Sequence, residues 1–206
     1  TSGATQAIFT AIAAVIQPGD EVIVFKPAYD SYEPSIEVIG GTVVPIQLQA
    51  PDFKPHWDEV ASKINDKTKM IIINSPHNPS GSIWDKEDML KLESLLKDTN
   101  ILLLSDEVYE HIIFDGVQHQ SASMFPGLAE RAFITVSFGK TFHTTGWKMG
   151  YCLAPKVLMG EFRKVHQFHV FCSNHPIQSA LSEYLKQPEH YEALPNFYQQ
   201  KRDLFL

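Results

Sequence analysis

The chain has 206 residues, 44% of them hydrophobic and 20% charged, with a formal net charge of −7. That is apolar material enough for one large packed domain, and the acidic balance argues against a nucleic-acid partner, which a basic face would have to hold. No run of about 18 uncharged apolar residues occurs, so no membrane-spanning helix is expected. Cys152 and Cys172 are far apart and form no Cys-x-x-Cys pair, which suits a reducing cytoplasm better than a disulfide scaffold. The opening Thr1-Ser2-Gly3-Ala4-Thr5 has neither the basic start of a signal peptide nor an initiator methionine, and residues 198–206 keep a helical pattern to the end. The chain therefore reads as an excised piece of a longer protein.

In chain order, the apolar stripe Ala7, Ile8, Ala11, Ile12 and Val15 predicts a helix over 6–16, stopped by Pro18-Gly19-Asp20. Ahead of it lie a glycine, a small residue and a hydroxyl at Gly3, Ala4 and Thr5. Free backbone N–H groups at a helix start favour a phosphate, although any N-capped helix has this look. Residues 21–25 read as a short buried strand leading into Pro27-Ala28-Tyr29. The Tyr29 ring either stacks on a flat ligand or plugs the sheet edge. A helix near 30–39, a strand at 42–46, a loop at 51–55 and a helix at 57–64 follow.

The apolar run at 70–73 predicts a strand that enters Asn74-Ser75-Pro76-His77-Asn78-Pro79-Ser80-Gly81, a stretch rich in turn residues. Asn78 there is either an Asx-turn residue before proline or an amide projecting into a cleft. Residues 85–97 form an amphipathic helix with Met89, Leu92 and Leu96 facing inward. Residues 101–105 are the most apolar strand, and they deliver Asp106 and Tyr109 at their end. Asp106 either caps a turn or is a buried carboxylate, which is costly unless a cation answers it.

The strand at 132–136 ends in a turn of small residues bearing Ser137 and Lys140, and Lys148 follows eight positions later. Another strand at 149–154 precedes helices near 156–170, near 176–186 and from Pro188 onward. His166, His169 and His175 lack a partner cluster at ligand spacing, so no metal is expected. The alternation of strand and helix predicts an α/β fold: a mostly parallel sheet with helices on both faces. The candidate groups then fall at strand ends or helix starts, where open α/β sheets bind ligands.

An amine, a carboxylate, a phenol, an amide, a ring and a phosphate-ready helix start match one cofactor, pyridoxal 5′-phosphate. Its aldehyde needs a lysine for a Schiff base, Lys140, whose pKa would fall if apolar surroundings stripped its water. Its ring nitrogen needs a buried acid, Asp106. Tyr109 and Asn78 offer donors to the ring oxygen, and Tyr29 offers a lid. Thr5, Ser137 and Lys148 suit the phosphate.

Ser-Gly-Ala-Thr-Gln-Ala, Pro-Ala-Tyr, Asn-Pro-Ser-Gly, Asp-Glu-Val-Tyr and Ser-Phe-Gly-Lys-Thr-Phe…Gly-Trp-Lys together resemble the motif series of fold-type I class I/II aminotransferases. The Gly-Lys-Thr-Phe-x-x-Thr-Gly-Trp-Lys form is similar to the branch holding methionine aminotransferase and the kynurenine/glutamine transaminases. The resemblance implies Lys140 as the catalytic lysine and Asp106 on the ring nitrogen. It puts Asn78 and Tyr109 on the ring oxygen, Asn78 also facing substrate, with Tyr29 stacking. Gly3, Ala4, Thr5, Ser137 and Lys148 then hold the phosphate, Lys148 standing where the wider family has arginine. It further implies an amino acid donor, methionine or aromatic, a 2-oxo acid acceptor, and a homodimer in the full-length protein. Residues 1–206 would be the large cofactor domain, without the N-terminal arm and small C-terminal domain. A C–S β-lyase or an amino acid-sensing domain on the same scaffold stays open, since fold does not fix reaction.

Overall fold

The computed structural model describes residues 1–206 throughout. Six strands build one sheet: β1 (Glu21–Lys26), β2 (Thr42–Gln47), β3 (Thr68–Asn74), β4 (Leu102–Asp106), β5 (Ala132–Ser137) and β6 (Gly150–Leu153). Their spatial order is β2-β1-β3-β4-β5-β6. The first five run parallel, and β6 alone is antiparallel, pairing with β5 from Ile134↔Leu153 to Ser137↔Gly150.

The helices are α1 (Ala4–Val15), α2 (Tyr32–Val38), α3 (Trp57–Lys63), α4 (Lys86–Leu96), α5 (Pro126–Ala129), α6 (Phe138–Thr141), α7 (Lys156–His169), α8 (His175–Tyr184), α9 (Glu189–Glu192) and α10 (Leu194–Phe205). Single 3₁₀ turns occur at Ala122–Met124 and Thr145–Trp147.

The strands are nearly continuous apolar runs because helices cover both faces of the sheet. Side chains alternate between the faces, as a period of two requires. On one face Ile23, Phe25, Ile71, Ile73, Leu103, Ile134 and Val136 pack with Met89, Leu92 and Leu96 of α4 and with Trp84. On the other, Val22, Val24, Met70, Ile72, Leu104 and Phe133 pack with Ala7, Ile8, Ala11 and Ile12 of α1, Ile36 of α2 and Phe162 of α7. Burial of each such large side chain is worth about 1.5–3 kcal/mol, so these two layers hold the strand ends in register.

The expected alternation of strand and helix is present, with differences at the ends of elements. The helix expected over 30–39 is shorter, Tyr32–Val38. The turn after β5 closes into one helical turn, α6. The helical stretch beyond Pro188 divides into α9 and α10, with Pro195 in the first turn of α10. The 3₁₀ turn at Ala122–Met124 and α5 carry no periodic apolar pattern, being too short for one. Asp85 caps α4 with a reciprocal capping box, Asp85 accepting from the Asp88 N–H and Asp88 from the Asp85 N–H.

One close approach decides how α1 meets the sheet. The Thr1 backbone pairs with Gly150: the Thr1 nitrogen donates to Gly150 O at 2.9 Å, and Gly150 N–H donates to Thr1 O at 3.2 Å. A Cβ on Gly150 would stand 2.5 Å from Val136 O and 3.1 Å from Ala4 N. Glycine at 150 therefore lets the start of α1 lie against the β5–β6 pair. Gly150→Ala is expected to destabilise the chain by about 1–3 kcal/mol, the usual cost of overpacking, read as a lower urea midpoint at an unchanged denaturant slope.

Candidate active site

The parallel strands all end on one edge of the sheet, and their following segments supply the site. Tyr29 comes after β1, Asn74 and Asn78 from the end of β3, Asp106 and Tyr109 from β4, and Ser137 and Lys140 from β5. Lys148 precedes β6, and because β6 runs antiparallel its start lies at the same edge. Gly3, Ala4 and Thr5 arrive with the beginning of α1. One cleft is lined by all ten residues singled out in the sequence, together with Ile8, Asn74, Val108 and Thr145. The chain also reverses its direction across the sheet between β1 and β3, the kind of switch point at which open α/β sheets form crevices.

Asp106 is 4% exposed. Its Oδ2 accepts from the Tyr32 hydroxyl at 2.5 Å and its Oδ1 from the Val108 N–H at 3.2 Å. Burial pushes its pKa up to about 6 against the lowering effect of those two donors, and the neighbouring Glu107 carboxylate adds to the rise. No basic side chain contributes to that balance. The cation expected to answer a buried carboxylate is thus not supplied by the chain; a phenol and a peptide N–H take its place. Burial and the Asp106 charge also raise the Tyr109 phenol, which stays a proton donor at neutral pH. Lys140 is half-buried, and its Nζ lies 5.7 Å from the Tyr109 ring centroid.

The α1 end presents open backbone N–H groups to the cleft. Gly3 is its N-cap at φ 81°, ψ 171°, a conformation open in practice only to glycine. No side chain caps the helix, and its first intrahelical bond is Ala7 N–H to Gly3 O, which leaves the Ala4 and Thr5 N–H groups without helical partners. The Lys148 side chain passes beside Gly3, where an added Cβ would meet its Cε at 3.6 Å. Thr5 Oγ1 and the Tyr29 hydroxyl are 3.0 Å apart.

From the sequence alone Asn74 is only one of several turn residues. In the structure it is buried, and its amide joins two strand ends: Nδ2 donates to Asp106 O at 2.9 Å, and Oδ1 accepts from the Asn78 N–H at 2.6 Å. Its position as the last residue of an apolar strand was the signal available for it. Tyr32 was likewise hidden, since nothing local distinguishes its hydroxyl from that of any other helix tyrosine. Cys152 and Cys172 are both free thiols.

The family model for aminotransferases of class I and II matches residues 1–206. Methionine aminotransferase of Escherichia coli (strain K12) is 48% identical over 207 residues, which is 100% of this chain and 54% of that protein. Kynurenine–oxoglutarate transaminase 3 of Homo sapiens is 37% identical over 221 residues, 98% of this chain and 49% of the relative. A crystal structure of an Escherichia coli protein described as having a methionine aminotransferase function superposes with a TM-score of 0.97 at 49% identity, covering 98% of this chain and 54% of that one. The fold and site thus define a pyridoxal phosphate-type α/β transferase fold. The chain belongs to the class I and II aminotransferase family, whose enzymes use pyridoxal 5′-phosphate. It spans about half the length of the curated relatives it matches.

The residues present fit that cofactor. A buried carboxylate with no basic partner suits a protonated ring nitrogen, and open N–H groups beside a lysine suit a phosphate.

Asp106 binds more protons in the folded chain than in the unfolded one between about pH 4 and 6, because its folded pKa is raised. Stability of the cofactor-free chain is therefore expected to fall as pH rises through that window, by up to about 3 kcal/mol. Asp106→Asn, which does not titrate, should flatten that slope in thermal unfolding measured from pH 4 to 7. Asn74→Ala leaves the Asn78 N–H without a partner and Asp106 O with only the Ser75 N–H at 3.2 Å, and a loss of about 1–3 kcal/mol is expected in urea unfolding.

Proposed function

We propose that this chain is the cofactor-holding part of an aminotransferase that moves the amino group of an α-amino acid to a 2-oxo acid. In this reading residues 1–206 form the large domain. The observation that carries it is one cleft holding the Lys140 amine and the buried Asp106 carboxyl, which has no basic partner of its own. When bound, pyridoxal phosphate supplies an aldehyde to hold the amino group and a ring that takes up electrons once its nitrogen is protonated.

Asp106 keeps a proton at the ring nitrogen, favoured by the same burial that disfavours its own charge. The Ala4 and Thr5 N–H groups, the Ser137 hydroxyl and the Lys148 ammonium bind the phosphate. Tyr29 covers the ring face. Asn78 and Tyr109 donate to the ring oxygen, and Asn78 also faces the substrate. The free Lys140 amine would move a proton between the substrate α-carbon and the cofactor aldehyde carbon, so its reach over the Tyr109 ring matters.

Methionine and aromatic amino acids are the donors we favour. The support is 48% identity to a relative named methionine aminotransferase and 37% to one named kynurenine–oxoglutarate transaminase. A cytoplasmic setting is part of the same proposal, supported by two free thiols. A homodimer of the full-length protein belongs to the same proposal.

The test loads the chain with pyridoxal phosphate, reduces it with borohydride and maps the labelled peptide. The label is expected on Lys140, and a label confined to other lysines sinks the assignment. Lys140→Ala should abolish the visible absorbance of the loaded chain. In the longer enzyme it should lower transfer from methionine at least about 100-fold, the least that a positioned acid–base group contributes.

A further inference from the structure

Tyr32 is 2% exposed and its ring belongs to the core shared with α1 and α2. A phenylalanine would fill that volume without burying a hydroxyl, which is costly unless the group finds a partner. The partner is Asp106 Oδ2 at 2.5 Å, a length suited to a hydroxyl donating to a carboxylate. The Val108 N–H holds the other carboxyl oxygen. The two donors come from different elements, α2 and the turn after β4, so together they fix the rotation of the carboxyl group. The turn before α2 places Tyr29 in the cleft: Tyr32 N–H donates to Tyr29 O at 3.2 Å, and the two rings meet edge to face with centroids 5.6 Å apart.

We propose that Tyr32 is a positioning residue, whose hydroxyl orients the Asp106 carboxyl and sets how firmly it holds a protonated ring nitrogen of pyridoxal phosphate. This rests on the reading of Asp106 as the partner of that nitrogen. The groups acting on Asp106 are Tyr32 from α2 and Glu107 and Tyr109 from the end of β4, while Tyr29 from the turn before α2 and Lys140 line the same cleft. Burial and the Asp106 charge raise the Tyr32 phenol well above its usual range, so it stays a donor wherever the protein is folded.

A purely structural role for Tyr32 would affect every ligand of the cleft alike. The experiment compares pyridoxal phosphate with its deaza analogue, in which CH replaces the ring nitrogen, by absorbance titration of the full chain. Tyr32→Phe is expected to weaken pyridoxal phosphate binding on the order of tenfold to a hundredfold, the worth of one hydrogen bond to a charged group. It should change the affinity for the analogue much less, and it should move the pH at which the absorbance of the loaded chain changes. Equal weakening of both ligands, or no weakening, overturns the role assigned to Tyr32. Asp106→Ala is the control for the underlying reading. If it too fails to separate the two ligands, Asp106 does not serve the ring nitrogen and both proposals fall; if it separates them and Tyr32→Phe does not, only Tyr32 is dismissed. A carbon-13 label at the Tyr32 phenol carbon of the unsubstituted protein gives a second readout that does not depend on the variant folding. Its resonance should shift with pyridoxal phosphate and less with the analogue, and an unmoved signal with both overturns the proposal.

Discussion

Asp106 sits at the end of a strand buried on both faces, where an ionised carboxyl has lost most of its water. Such a group is stable in a fold only if something replaces that water. Here the replacement is incomplete: one phenol and one peptide N–H meet its two oxygens, and no basic side chain joins them. The carboxyl is consequently left readier to take a proton than an ordinary aspartate. The surrounding structure keeps this acid in place at the wall of the cleft. Stability and chemistry pull in opposite directions at this position, as is common where a protein holds a perturbed acid for use.

The sheet turns that single acid into a site. Parallel strands have their carboxyl ends on one edge, so residues widely separated in sequence meet there without long excursions of the chain. The antiparallel β6 extends the same logic to Lys148, which precedes its strand and would otherwise lie at the opposite edge. Gly150 then allows the start of α1 to rest against β5 and β6, bringing open N–H groups next to that lysine. Backbone geometry thus makes the end of the cleft with open N–H groups, and side chains make the acid end.

Between the two ends the polar groups are tied to each other as well as to the cleft. Asn74 links the carbonyl of Asp106 to the N–H of Asn78, so the ends of β3 and β4 move together. Thr5 and Tyr29 share a contact across the cleft. Buried hydrogen bonds of this sort rigidify a site when all members are satisfied, and both amide atoms of Asn74 are. The likeness to aminotransferases extends over the entire chain rather than over the site alone, in keeping with a site whose parts come from five of the six strands and from α1.

Much of this was legible in the residues themselves. Apolar runs followed by turn residues located the strands and their reactive ends, because a buried parallel strand needs a continuous apolar sequence and a polar residue can appear only where it stops. Lys140, Asp106, Asn78 and Tyr109 stand out in that way, and the structure brings all four into one cleft. What the sequence could not carry were relations between segments distant along the chain. That Tyr32 and the Val108 N–H, not a cation, answer Asp106, that Asn74 bridges two strands, and that Gly150 must lack a side chain are all consequences of packing. Local spacing records which groups a segment offers; only the folded sheet decides which of them come within hydrogen-bonding distance, since that distance is set by strand order and by the direction in which β6 runs.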